Sequence, residues 1–419
     1  MFWAKSLPLF IAVFISAEGL LARLACAASA AARRVSLEEA IAFAIAGNPD
    51  YSAASRELLF VHGELQRANY VSQFNPEILG TGDYRQRTRQ TDATDWRVDI
   101  AQQLEIFGQP ALRRRSAKFA VARSESEFAN QKRLLVAAVK LSFFEAIRTR
   151  LQSELFSELA ALDARLNDAA KARLTAGEIG QIDANLAQVR YGQSIRDLTE
   201  AQSRYRIECL SFGRLLGGLA GAAPEPSGDL KIDPLAADPE RLIAIAKDQR
   251  PDYRAATLEI ERLETETRLN RRLALPNPTI GVFGAHENNI EHIGGVMIGI
   301  PLPIFNQRQA EATQNQARLL QARDRLRALD LEISREVMAG WERYQTALQV
   351  VDIDRRNIVA PARESFDLLD AAFVAGKLDL LSLSVAERQA FEARIGDVNA
   401  RYNLAAAEVG LDLAVGGIR

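Results

Sequence analysis

A stretch of 66 residues without proline or glycine, from Ala111 to Ala176, constrains the fold more than any other feature of this sequence. Pro110 precedes it, at a position that suits the first turn of a helix. One continuous helix of that length would reach roughly 100 Å, far beyond a globular core. The sequence therefore predicts an elongated molecule built on long helices.

This helix is predicted to end at Gly177, within ARLTAGEIGQIDANLAQ, where the chain turns back. A glycine commonly supplies the left-handed residue that ends a helix. A similar pattern recurs 199 residues later at Gly376, within AAFVAGKLDLLSLSVAE. The chain is therefore predicted to contain the same helical hairpin twice.

Other landmarks recur at almost the same spacing. The matched pairs are Pro49 and Pro251, Asn75 and Asn277, Phe107 and Phe305, and Gly217 and Gly416. An internal repeat fixes the architecture of a chain, so it is considered before local propensities. We assign a first repeat to residues 31–217, a linker rich in Gly, Ala and Pro to 218–238, and a second repeat to 239–419.

Between its short helices and its long ones, each repeat changes from helical to alternating periodicity. In the segment from Trp96 to Glu105, apolar side chains on one face alternate with mostly polar or charged ones on the other. In the second repeat, Val296, Ile298, Ile300 and Leu302 likewise share one face. We predict β-hairpins over about residues 76–105 and 278–302. Strands with one apolar and one polar face suit the wall of a transmembrane β-barrel, although a soluble hairpin on a core fits the periodicity equally well.

The long helices carry apolar residues at heptad spacing. They are Leu319, Ala322, Leu326, Leu329 and Ile333 in the second repeat, and Ile195, Leu198, Gln202, Tyr205, Cys209, Phe212 and Leu216 in the first. Such narrow seams indicate coiled-coil packing, over about residues 110–217 and 307–416. Pro361 is predicted to break or kink the outbound helix of the second repeat.

The N-terminus has Lys5, a short apolar segment and then small residues, which together indicate a signal peptide over residues 1–30. An alternative is that Cys26 becomes the lipidated first residue of a lipoprotein. The second cysteine, Cys209, lies in an apolar helical row and is predicted to be buried.

Composition and motifs exclude several functions. Basic and acidic residues are interleaved, and the net charge is −2, so no basic face for nucleic acid is present. The sequence has no P-loop, HExxH motif or Cys-x-x-Cys motif and predicts neither an enzyme nor a cofactor. One group of potential metal ligands, comprising His286, Glu287, Glu291, His292 and Met297, is better explained as a polar loop at the end of a hairpin.

Four membrane strands cannot close a barrel, because open strand edges are not tolerated in lipid. The chain is therefore predicted to oligomerise. A trimer would supply twelve strands, in the range of known barrels.

The sequence resembles the TolC-type outer membrane factors, including the outer membrane components of heavy-metal and drug efflux systems. The resemblance rests on the two hairpin tips, on LEIFGQPALRR from Leu104 to Arg114, and on IPLPIFNQRQAEATQNQARL from Ile300 to Leu319. It implies a homotrimer with a 12-stranded β-barrel in outer membrane lipid and an α-helical barrel across the periplasm. It also implies a periplasmic adaptor and an inner-membrane RND-type pump as partners.

The resemblance also implies roles for the tips. Asp183 matches an acidic position near the periplasmic aperture, whereas the second repeat has Ser382 there and Asp379 three residues earlier. An alternative for Asp183 is a simple helix cap. The segments that match adaptor-docking tips are Thr175, Ala176 and Gly177 in the first repeat and Ala375, Gly376 and Lys377 in the second.

The expected function is thus that of a passive exit duct for metal ions or small toxic compounds. Two alternatives are a secreted structural coiled-coil protein and the outer membrane component of a type I secretion system. The coiled-coil alternative explains the heptads but leaves the duplicated two-faced hairpins unexplained.

Overall fold

The computed structural model describes residues 34–88, 92–218, 223–230, 238–288, 290–374 and 380–417 of the chain. The predicted signal peptide and Cys26 lie outside the described residues. The helices are α1 (Leu37–Gly47), α2 (Pro49–Ala68), α3 (Gln109–Thr175), α4 (Gln181–Leu215), α5 (Pro239–Gln249), α6 (Pro251–Leu273), α7 (Gln309–Ile353), α8 (Ala360–Val374) and α9 (Leu380–Val415). The strands are β1 (Arg34–Val35), β2 (Glu77–Arg85), β3 (Ala93–Gln103), β4 (Glu225–Pro226), β5 (Thr279–Glu287) and β6 (Glu291–Gly299).

Helix α3 is a single helix of 67 residues, as the stretch without proline or glycine predicts. It begins after Gly108, which has a φ of 77°, and it carries Pro110 in its first turn. Proline is tolerated there because the missing N–H has no partner within the helix. Helix α3 contacts the short helices of both halves of the chain and the return helices α4 and α9. It is therefore the element on which the rest of the fold is assembled.

The outbound path of the second half is interrupted, as expected from Pro361, but the interruption starts earlier. Helix α7 ends at Ile353, a π-helical segment covers Asp354–Val359, and α8 starts at Ala360. Pro361 therefore lies in the first turn of α8, where it is tolerated. A π-helical turn accommodates an interrupted hydrogen-bond ladder without ending the helical path.

The four long strands form one antiparallel sheet in the order β2-β3-β5-β6. The central contact joins the two halves of the chain, with Trp96 of β3 opposite His286 of β5. Strand β6 covers Glu291–Gly299 instead of the predicted Val296 to Leu302, because Pro301 and Pro303 provide no N–H for a ladder. Among the described residues, β2 and β6 each have one edge without a partner strand.

Two large apolar cores and one smaller cluster are present among the described residues. The first includes Phe143, Ile147, Phe212 and Leu216, and the second includes Leu242, Ile333, Tyr344 and Leu411. Phe143 packs edge-on against Phe144 and Phe212. These cores hold the short helices of each half against its long helices.

The first core also fixes the segment that joins the two halves. Strand β1 pairs in parallel with β4, and the N–H of Ser227 donates to the carbonyl oxygen of Val35 over 2.9 Å. Arg150 of α3 donates to the carbonyl oxygens of Pro226 and Gly228. The described part of the linker is thus tied to α3.

Of the heptad row predicted for α7, Leu319, Ala322 and Ile333 are buried, and Leu326 and Leu329 are half-buried. For α4 the heptad prediction is only partly right. Ile195 and Gln202 are exposed, whereas their neighbours Ser194 and Ala201 are buried. Small side chains allow close approach of adjacent helices, so the contact surface follows them instead of the larger residues. None of the helices in the described ranges is both long and apolar enough to span a bilayer.

Candidate functional site

The first helical tip is shaped by a glycine with a positive φ. At the end of α3, the N–H of Gly177 donates to the carbonyl of Leu174 over 3.0 Å, and the N–H of Glu178 donates to that of Arg173 over 2.9 Å. These two bonds form a Schellman motif, with Gly177 at a φ of 75°. A Cβ at Gly177 would meet nothing within 4 Å, so the requirement for glycine comes from the backbone conformation.

The residues predicted to dock a partner are accessible on this tip. Thr175, Ala176 and Gly177 are all exposed. The Thr175 hydroxyl donates to the carbonyl oxygen of Lys171 over 2.9 Å, inside its own helix. Its polar group is therefore already engaged, and Ala176 and Gly177 present little beyond backbone to a partner.

Asp183 lies in the first turn of α4, close to this tip. Its Oδ2 accepts a hydrogen bond of 3.4 Å from the backbone N–H of Gly180, which is the helix-capping role considered as the alternative. The side chain is nevertheless exposed, so the cap does not remove its charge from solvent. It borders a cavity of about 890 Å³ that also contacts Arg173, Arg190 and Arg388.

The corresponding residues of the second tip, namely Ala375, Gly376, Lys377 and Asp379, lie outside the described residues. Their predicted roles have no structural description.

A charged cluster that sequence reasoning missed lies between the two hairpins. Glu387 of α9 and Asp163 of α3 are buried, with 4% and 6% of their surface exposed. Arg190 of α4 lies between the hairpins, with its Nη2 3.9 Å from Oε2 of Glu387. One signal was available, because Asp163 falls at helical spacing between Ala160, Leu166 and Ala170, all of which are buried.

The sheet separates apolar from charged side chains. Trp96, Val98 and Ile100 point to one face and are exposed, as are Ile280, Val282, Val296 and Ile298 on the neighbouring strands. The register places these residues side by side. An exposed apolar surface of this extent on a sheet is the expected arrangement for contact with lipid.

The opposite face of the sheet is polar. Asp95 and Asp99 of β3 are largely buried there, and each pairs with an arginine at 2.7 Å, Asp95 with Arg85 and Asp99 with Arg97. The Arg97 guanidinium also lies 3.9 Å above the Phe283 ring. Charges grouped on one face suit the water-filled side of a barrel wall.

The group of potential metal ligands is divided by the register of the sheet. His286 and His292 lie opposite each other with ring centroids 4.7 Å apart, beside Trp96 on the apolar face. Glu287, Glu291 and Met297 lie on the opposite, charged face of the sheet. Over the described ranges, no three His, Cys, Asp or Glu residues are arranged to hold a metal ion.

The fold defines a class of protein in which a four-stranded antiparallel sheet with one apolar and one charged face is joined to long helical hairpins. The family model for outer membrane efflux proteins matches residues 242–417. The second half of the chain thus carries the outer membrane efflux protein domain, and the chain as a whole is similar to the TolC-type outer membrane channels.

Individual relatives agree with this assignment. The chain is 25% identical over 366 residues to the cobalt-zinc-cadmium resistance protein CzcC of Cupriavidus metallidurans, covering 87% of this chain and 86% of the relative. It is 27% identical over 302 residues to the pyoverdine export outer membrane protein OpmQ of Pseudomonas putida, covering 67% and 63%. The fold matches the CmeC outer membrane channel of Campylobacter jejuni with a TM-score of 0.78 at 13% identity, covering 91% and 85%.

Proposed function

We propose that three copies of this chain form the passive exit duct of a tripartite efflux system. The observation that carries the proposal is the four-stranded sheet, whose apolar face is exposed and whose outer strands β2 and β6 each have an unpaired edge among the described residues. Unpaired edges are costly in lipid, and three such sheets joined edge to edge would remove them in a barrel of twelve strands.

The hairpins would then extend from the barrel into the periplasm. We expect the tips around Gly177 and Gly376 to meet a periplasmic adaptor, which in turn engages an inner-membrane RND-type pump. The exposure of Thr175, Ala176 and Gly177 supports this assignment, because a partner helix can approach small residues closely. Three Asp183 carboxylates would lie near the aperture and attract cations.

We infer that divalent transition-metal ions are the exported cargo. The supporting observation is the similarity to CzcC, which covers most of both chains, whereas the match to OpmQ covers about two thirds of each. Small organic compounds are the second candidate cargo, favoured by the similarity to OpmQ. The charged face of the sheet, with Asp95 and Asp99, is compatible with passage of cations.

Fractionation tests the channel itself. Outer membrane extracts in mild detergent should contain the protein as trimers that dissociate on heating. Recovery of the protein only in a soluble periplasmic pool would refute a membrane duct.

A deletion strain tests the cargo. Loss of the protein should increase sensitivity to cobalt, zinc or cadmium salts and leave sensitivity to organic drugs near that of the parent strain. The reverse pattern would assign the duct to small organic compounds.

A further inference from the structure

Glu387 is a buried carboxylate with no hydrogen-bond donor for either oxygen. Both Oε1 and Oε2 are inaccessible to solvent and unpartnered. Arg190 approaches only to 3.9 Å, and its Nη2 donates instead to the carbonyl oxygen of Ser384 over 3.2 Å. A carboxylate in such surroundings is costly when it is ionised, since neither water nor a direct donor stabilises its charge.

A second buried acid, Asp163, affects the ionisation of Glu387. Burial and then the negative charge of Asp163 raise the pKa of Glu387 to about 7, against the opposing charge of Arg190. Burial also raises the pKa of Asp163, although the charge of Arg190 and a hydrogen bond from Ser194 oppose that change. The charge of Asp163 therefore disfavours ionisation of Glu387.

Other charged side chains near Glu387 lie on the helices packed around it. Arg165 of α3 and Arg388 of α9 lower the pKa of Glu387 less than Arg190 does. A cavity of about 680 Å³ beside Glu387 is also lined by two ion pairs. Arg394 pairs with Glu158 at 2.5 Å, and Arg363 of α8 pairs with Asp367 at 4.0 Å. Because those four groups are paired with each other, Asp163 and Arg190 dominate the charge balance at Glu387.

We propose that Glu387 takes up a proton while the nearby Asp163 stays ionised, and that Glu387 acts as an acid-dependent clamp that holds α9 against α3 and α4. With the proton bound, a single negative charge faces Arg190. Without it, two buried carboxylates face that one guanidinium, and separation of α9 from the first hairpin relieves their repulsion. Glu387 comes eleven residues after Gly376, so the clamp lies toward the tip of the second hairpin.

The direction of the pH dependence follows from the raised pKa. The folded state holds its proton more tightly than the unfolded chain, in which a Glu has a pKa near 4.5. The stabilising effect of the clamp is therefore complete below that value and is lost as pH rises through about 7. We expect the end of the helical duct to be tighter in a mildly acidic periplasm than in a neutral one. The placement of the clamp in a periplasmic duct rests on the proposed function, whereas the pH dependence of the contact does not.

Hydrogen exchange of the full-length trimer in detergent tests the clamp. Exchange in residues 382–400 is measured from one unit below to one unit above the pKa of Glu387 and corrected for the intrinsic rate at each pH. The wild type should lose protection across this range. Glu387→Gln should stay protected throughout, because the neutral amide resembles the protonated acid.

Two further variants complete the test. Asp163→Asn removes the negative charge that opposes ionisation of Glu387. The loss of protection should therefore begin at lower pH and be smaller than in the wild type. Glu392→Gln, at an exposed position on the same helix, should match the wild type.

Three results would overturn the clamp. They are flat exchange in the wild type, an unchanged loss of protection in Glu387→Gln, and an Asp163→Asn transition that stays in place or moves to higher pH. Should Glu387→Gln fail to assemble, the Asp163→Asn transition still decides the matter. None of these results bears on trimer formation or membrane location, which fractionation tests separately.

Discussion

Nε2 of Gln109 donates a hydrogen bond of 2.8 Å to Oδ1 of Asn277, and the two residues are 168 positions apart in the chain. Gln109 has no exposed surface, and its Oε1 accepts a hydrogen bond of 2.8 Å from the backbone N–H of Phe107. The pair joins the start of α3 in the first half to the loop that leads into β5 in the second half. It thus fixes the sheet relative to the helices.

Substitution of Gln109 by Ala should destabilise this junction. The change removes a donor from the buried Asn277 and an acceptor from Phe107, and each loss of a buried partner costs about 1–3 kcal/mol. We expect a lower free energy of unfolding in denaturant titrations of the purified protein. Gln193→Ala, at an exposed position on α4, is the matched control and should change stability by no more than about 0.5 kcal/mol. Equal stability of the two variants would contradict the role of Gln109.

The internal repeat gives this pair a counterpart. Gln309 begins α7 and accepts a hydrogen bond of 2.9 Å from the N–H of Gln307, just as Gln109 does from Phe107. Asn75 corresponds to Asn277, yet both Gln309 and Asn75 are exposed in the single chain. In the proposed trimer, we expect Gln309 of one copy to lie near Asn75 of the next.

Cysteine cross-linking tests this contact. A chain carrying Gln309→Cys and Asn75→Cys, treated with a short bismaleimide in membranes, should give covalent dimers and trimers on denaturing gels. The matched pair Gln109→Cys and Asn277→Cys should react within one chain and run as a monomer. Cross-links confined to monomers in both cases would argue against the expected arrangement of subunits.

Substitution of Gly177 by Val should disrupt the first tip without disrupting assembly. A β-branched residue is strained at a φ of 75°, by roughly 1–2 kcal/mol, while no neighbouring atom is displaced. We expect efflux, measured as metal tolerance of the complemented strain, to fall sharply while detergent-extracted trimers persist. Gly180→Ala is the control, because Gly180 has an ordinary φ of −80°. Full tolerance in the Gly177 variant would count against docking at this tip.

Replacement of Asp183 by Ala should raise single-channel conductance in planar bilayers. The proposed reason is that three carboxylates contribute to holding the aperture closed. The capping bond to Gly180 is lost as well, at a cost of about 0.5–2 kcal/mol in helix stability. Asp183→Asn can retain that cap without the charge and therefore separates the two effects. Conductance equal to that of the wild type in both variants would remove Asp183 from the aperture.

Local patterns were sufficient to predict much of this fold. Absence of proline and glycine predicted α3, and the alternation from Trp96 to Glu105 predicted most of β3. Strand β6 was misplaced because its first residues, including His292, are polar and suggested a loop. Only pairing with β5 shows that this segment is a strand.

The proximity of the two buried acids could not be predicted from the same patterns. Helical spacing places Asp163 among apolar residues, but Glu387 looks like an ordinary charge on a solvated helix, and the two are more than two hundred residues apart. Their burial depends on how α9 packs against α3, which heptad spacing alone does not specify. For α4, spacing also favoured Ile195 over the smaller Ser194, although the small residue is the buried one.

The pairing of β3 with β5 has a consequence for how the protein matures. Trp96 and His286 are neighbours in the sheet but are separated by 190 positions in the chain. Contacts between distant segments form slowly, because a long loop must close before the contact stabilises it. The sheet cannot be completed until the last strand has been synthesised and exported, so β2 and β3 must be kept from pairing with other chains until then. Assembly of this protein is therefore expected to depend on periplasmic chaperones more than that of a barrel built from consecutive hairpins.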